Sequence, residues 1–127
     1  MDEVVLLTAI LLMSILTNSG KVVDQSKSVF EIPFDQGKTE ILSGEQTSKL
    51  NEARDAVIEA QKKARVERLI IEGYFTGPAS SNNANLANAR AAATKRWLQR
   101  DERLSGIAMN TPPPASGERP LAKISIR

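Results

Sequence analysis

Few residues in this sequence could do chemistry. Its 127 residues include no histidine and no cysteine. That removes the usual general base, thiolate nucleophiles, disulfides, lipid attachment through an N-terminal cysteine and the common zinc sites. There is no GxxxxGK[ST] phosphate loop. No metal and no cofactor are expected, and the chain reads as a non-enzyme. One constellation remains, in residues 70–98. Ile70 and Ile71 lead into Glu72, Gly73 and Tyr74, a loop follows through Thr76, Gly77 and Pro78, and a helical stretch from Asn83 carries Leu86, Arg90, Ala91, Trp97 and Leu98. Arg90 falls early in that helix and points back toward the loop, the layout of a small binding site.

Each of these residues also has a plain structural reading. Arg90 alone reads as a solvated helix arginine, and Thr76, Asn83 and Asn85 as loop and cap residues. Tyr74 and Trp97 read as core or pocket wall rather than stacking platforms. The run Pro112-Pro113-Pro114 reads as a stiff loop before it reads as a docking segment.

The elements that must position this constellation follow from periodicity. Residues 29–34 alternate, with Phe30, Ile32 and Phe34 on one face, which predicts a strand, and Pro33 places it at a sheet edge or a strand end. Residues 35–37 form a turn. Ser43 and Gln46 match a capping box, and Leu50, Ala53, Val57, Ala60 and Ala64 recur at helical spacing. Residues 66–74 predict the second strand, with Leu69 and Ile71 toward the helices and Gly73 allowing close backbone approach. Asn82 or Asn83 is the expected N-cap of the second helix, which runs to about Arg100. Residues 104–110 give a short third strand, 111–117 an exposed loop that can be neither helix nor sheet, and 121–127 a closing strand with Ala122, Ile124 and Ile126 inward. The order β-α-β-α-β-β implies an α/β (α+β) two-layer sandwich, with two helices on one face of a small mixed sheet.

Composition is that of one folded domain with appendages: 41% hydrophobic and 25% charged residues. The formal charge is +2, and since Asp2 and Glu3 are the only charges in residues 1–20, the remainder holds 17 basic and 13 acidic residues. That bias suits an acidic polymer or a membrane surface, but no basic stripe with interleaved aromatics marks a nucleic-acid binder. Residues 4–16 (VVLLTAILLMSIL) are an uncharged run spanning roughly 20 Å as a helix, against about 30 Å of hydrocarbon. Extended through Val22 and Val23, the run approaches a membrane span. The acidic start and poor cleavage sites favour a retained membrane anchor or uncleaved signal-anchor over a cleaved signal or a partner-packed helix; Lys21 would by the positive-inside rule lie on the cytoplasmic side. The expected organisation is 1–20 anchor, 21–28 linker and 29–127 folded domain.

Over that folded domain the sequence resembles the OmpA-like (OmpA/MotB C-terminal) family. Ile32-Pro33-Phe34-Asp35 is similar to the family's opening Phe-x-Phe-Asp strand. Ile71-Glu72-Gly73-Tyr74 resembles its Ile-x-Gly-(His/Tyr) strand end. Asn83, Leu86, Arg90, Ala91 and Leu98 match the spacing of its Asn-x-x-Leu-Ser-x-x-Arg-Ala helix and later leucine. The resemblance implies non-covalent binding of peptidoglycan through the diaminopimelate of the stem peptide. Arg90 would meet the ligand carboxylate, Asn83 would open the helix, and Gly73 and Tyr74 would floor the pocket, with Thr76 beside them.

The sequence departs from the family at the Thr-Asp that follows this strand end, where the aspartate pairs with the ligand ammonium; here Phe75-Thr76-Gly77 stands instead. Glu72 could stand in if the strand end twists. The late Gly-Tyr-Gly motif and the Asn-Arg-Arg-Val motif are also absent, replaced by Ala108-Met109-Asn110-Thr111 and Leu121-Ala122-Lys123-Ile124. The expected function is a membrane-tethered module, held through residues 4–16, that anchors an envelope component to peptidoglycan in a Gram-negative periplasm. The alternative is a structural subunit of an envelope-spanning or virion assembly, in which the fold serves protein packing.

Overall fold

The computed structural model describes residues 28–42 and 44–127. The run 4–16 and the linker through residue 27 lie outside them, as does Ser43. Among the described residues no helix is long and apolar enough to cross a membrane.

Strand β1 (Val29–Pro33) is followed by helix α1 (Glu45–Lys63), strand β2 (Arg68–Phe75) and helix α2 (Ser81–Gln99). A 3-10 turn (Glu102–Leu104) and strands β3 (Ala108–Asn110), β4 (Ala115–Ser116) and β5 (Leu121–Ile126) complete the order. The sheet runs β1-β5-β2-β3, with β4 also on β2. β5 is antiparallel to both neighbours, whereas β3 and β4 are parallel to β2. The mixed sheet carries both helices on one face, the two-layer arrangement that the periodicity implies.

The alternation in β1 acts as expected: Phe30, Ile32 and Phe34 are buried. The Phe34 amide donates to the Pro120 carbonyl and the Ile126 amide to the Ser28 carbonyl, so even-numbered residues of β1 bond to β5 and odd-numbered ones face the free edge. Pro33, which has no N–H, therefore occupies a position where the sheet needs none, and it denies an added strand a donor.

Leu50, Ala53, Ala56 and Val57 form the buried stripe of α1, while Ala60 is only partly covered and Ala64 is the exposed C-cap. The expected capping box rests on Ser43, which lies outside the described residues. Gly44 is the N-cap, without a side-chain cap, and the Gln46 carboxamide reaches back to accept from the Leu42 amide at 2.8 Å. The Thr47 hydroxyl donates to the Leu42 carbonyl at 2.8 Å, so these two side chains stitch the incoming chain to the helix.

Two further expectations change. Residues 102–104 form the 3-10 turn, and only 108–110 join the sheet. Asp101 caps that turn by accepting from the Arg103 amide, which drives Leu104 fully into the core. The stretch 111–117 is not all loop. Its prolines cannot make a ladder, but Ala115 and Ser116 pair with Tyr74 and Phe75, and the Gly117 amide donates to the Phe75 carbonyl at 2.9 Å. This late pairing extends the sheet alongside the end of β2, where the constellation lies.

Candidate functional site

β2 alternates between two environments, and that alternation sorts the candidate residues. Leu69, Ile71, Gly73 and Phe75 are buried beneath the helices. Ile70, Glu72 and Tyr74 point to the other face of the sheet. Gly73 is where α2 approaches most closely: a Cβ there would run into the Ala87 carbonyl oxygen. The absence of a side chain is thus a packing requirement, and it seats α2 directly on the strand.

α2 starts two to three residues earlier than its asparagines suggest. Ser80 is the N-cap, its hydroxyl accepting from the Asn83 amide at 3.1 Å. The Asn83 side chain donates instead to the Pro78 carbonyl at 2.7 Å. Asn83 therefore holds the loop against the helix start, and Gly77 supplies the positive φ of 88° that the loop needs. From this start the inward stripe of α2 is Ala87, Arg90, Ala91, Thr94 and Leu98. An arginine thus occupies a core position.

Arg90 is 1% exposed. Its Nε donates to the Lys38 carbonyl at 2.9 Å and its Nη1 to the Tyr74 carbonyl at 3.0 Å. The Phe34 ring lies 6.0 Å from the guanidinium carbon. Nη2 is buried with no partner, and among the described residues no carboxylate pairs with this cation. Burial lowers its pKa from the ordinary arginine value. A buried guanidinium with an unused donor is unusual, since such groups are normally paired. What it can do chemically is accept an anionic group, a carboxylate above all, because its planar fork matches that shape.

The cover over Arg90 comes from the turn after β1, which reads in sequence as nothing more than a turn. The Lys38 amide donates to the Asp35 carbonyl at 3.0 Å, closing residues 35–38. The Thr76 hydroxyl donates to the Gln36 side-chain oxygen at 3.0 Å, joining this turn to the loop after β2. Thr76, Asn83, Arg90 and the Tyr74 carbonyl therefore gather at one corner, with Gln36 and Lys38 as members that no local signal marks.

The Tyr74 side chain does not wall this corner. It lies on the open face of the sheet, its hydroxyl donating to the Glu72 carboxylate at 2.7 Å, with Lys123 Nζ 5.3 Å from its ring. Glu72 likewise belongs to that face, so strand twist does not bring it round to replace the missing acid. Trp97, in contrast, packs against the core as expected.

No family model matches the sequence, and no curated protein does. Solved structures do. The OmpA-like domain of FopA1 from Francisella tularensis subsp. tularensis SCHU S4 superposes with a TM-score of 0.56 at 10% identity, covering 78% of this chain and 73% of that one. An outer membrane protein from Borrelia burgdorferi B31 superposes with a TM-score of 0.55 at 19% identity, covering 77% and 85%. At such identities the likeness speaks for the backbone alone, and together with the sheet order and the helix packing it establishes that this chain has the OmpA-like fold.

Proposed function

We propose that the protein is a non-catalytic module that binds peptidoglycan and anchors an envelope component to the cell wall. In this reading residues 1–20 are the membrane anchor, 21–28 the linker and 29–127 the wall-binding domain, facing a Gram-negative periplasm. The observation that carries it is the unpaired Nη2 donor of Arg90, a buried cation without an acid partner among the described residues. A stem-peptide carboxylate supplies the missing acceptor once the 35–38 turn gives way, because the Lys38 carbonyl covers Nε. Asp35, exposed on that turn, provides the acid for the ligand ammonium in place of an aspartate after Tyr74. Thr76 and Asn83 hold the two loops, and Gly73 and Tyr74 contribute backbone.

The test is co-sedimentation of the full chain with purified sacculi, with competition by free diaminopimelate. Arg90→Lys keeps the charge but loses the planar fork, so binding is expected to fall at least tenfold while the circular dichroism spectrum stays unchanged. Binding indifferent to both the substitution and the competitor would sink this reading.

A second reading has its own support. Two of the Arg90 donors are already spent on backbone carbonyls of different elements, so the arginine can serve as an internal staple. The domain is then a packing subunit of an envelope or virion assembly. Absence of sacculus binding by the wild-type chain favours this alternative.

A further inference from the structure

A concavity starts where the cover over Arg90 ends. Residues 39–42, which continue the chain from Lys38 toward α1, form one wall. The outer side of α2 forms the other, with Ala93, Arg96, Trp97 and Arg100, and the space between is about 520 Å³. Arg96 and Arg100 are exposed, and neither guanidinium has an ion-pair partner among the described residues. Arg96 lies in the last turn of α2 and Arg100 is its C-cap, so the two are separated by about 6 Å along the helix axis. Between and opposite them the lining is mixed: Ile41, Trp97 and Leu42, the last 54% exposed, supply apolar surface, and Thr39 and Thr47 add hydroxyl-bearing side chains. Arg54 lies over the Trp97 ring at 5.8 Å from the α1 side, fixing the indole as part of the wall. Glu40 is the single acid of the lining and sits on the opposite wall.

We propose that this groove is a docking site for an acidic, partly apolar peptide segment. Its carboxylates lie toward Arg96 and Arg100, and its aliphatic side chains against Leu42, Ile41 and Trp97. The charge complementarity selects an acidic occupant, and the apolar part of the lining, Ile41, Leu42 and Trp97, selects a peptide over a polyphosphate, which has no side chain to place there. The site is separate from the wall-binding reading, and holds or fails without Arg90.

Trp97 is the only tryptophan in the sequence, so a change in emission on titration is read at the wall of this groove. The experiment titrates the full chain with a synthetic peptide of alternating glutamate pairs and leucines, following Trp97 fluorescence. A saturable change is expected, weakening as salt is raised. Arg96→Ala with Arg100→Ala should weaken it about five- to tenfold, since each exposed charge contact contributes modestly. Glu40→Gln should strengthen it about twofold by removing the repelling acid, and this variant keeps the test decisive if the double substitution fails to fold. Arg90→Lys should change the titration by less than about twofold, against the fall of at least tenfold expected in sacculus binding. No emission change, an affinity indifferent to the Arg96 and Arg100 substitutions, or equal competition by polyphosphate would overturn the proposal.

Discussion

Two cations flank β2 in opposite surroundings. Arg90 is buried on the helix side with two carbonyl acceptors, no acid and one idle donor. Lys123 sits on the open face, directly opposite Glu31 on β1 and Glu72 on β2. Contact with Tyr74, then the two acids, raises its pKa, whereas burial alone lowers that of Arg90. The open face has satisfied its charge locally, with Tyr74 bonded to Glu72 and Arg119 paired to Glu31 at 3.4 Å. The helix-side corner has not. A surface ladder of that kind adds little to stability and asks for no partner. A buried cation without a counter-charge costs free energy on folding, so the corner, not the face, is where an external anion has something to complete.

The contrast can be broken from several directions. The largest effect is expected at Gly73, because a methyl there meets the Ala87 backbone, which cannot rotate away. Gly73→Ala should cost about 3 kcal/mol in urea unfolding and should dislodge α2 together with Arg90. Next comes Arg90 itself. Arg90→Ala leaves a cavity and two carbonyls without donors, about 2–3 kcal/mol. Arg90→Met fills the space and removes the buried charge, and should cost only about 1 kcal/mol. Equal losses for the two variants would show that the hydrogen bonds to the two carbonyls, not the volume, hold the corner together. On the other side, Lys123→Met should change stability by less than about 0.5 kcal/mol. A larger loss in the same unfolding measurement would erase the distinction drawn between the two faces.

A pH titration sharpens the picture at a third place. Hydrogen bonds from Arg103 hold the Asp101 carboxyl at about 2, below its ordinary 3.8. A carboxylate whose pKa is depressed by folding stabilises the fold fully above the unfolded value and loses that contribution as pH falls toward the folded one. Thermal unfolding followed between pH 5 and 2 should therefore show a decline that is shallower in Asp101→Asn. Neither Arg90 nor Lys123 titrates there, so a change confined to this acidic window belongs to the carboxylates.

Much of the architecture was legible in local pattern. The period of two in residues 29–34 and the period near 3.6 around Leu50, Ala53 and Val57 report directly which side is apolar, because burial selects side chains at the spacing of the element. The constellation around Arg90 was legible for a related reason: its residues are close in the chain. The misread details have two causes, a partner remote in sequence and a competing local hydrogen bond. Ala115 and Ser116 became a strand because the end of β2 offered unpaired backbone groups beside them. Ser80 took the N-cap of α2 while the Asn83 side chain was engaged locally with the Pro78 carbonyl.

The sequence alone determined the two helices, the main strands and their order, the lack of histidine and cysteine, and the spacing that ties Arg90 to its neighbours on the second helix, since these depend on residue type and short-range periodicity. Only the tertiary structure decided that Lys38, fifty-two residues from Arg90, covers it, that Glu72 turns away from it, and that one guanidinium nitrogen ends without a partner. Hydrogen bonds and desolvation act over a few ångströms in space whatever the separation along the chain, so the state of that charge is set by packing.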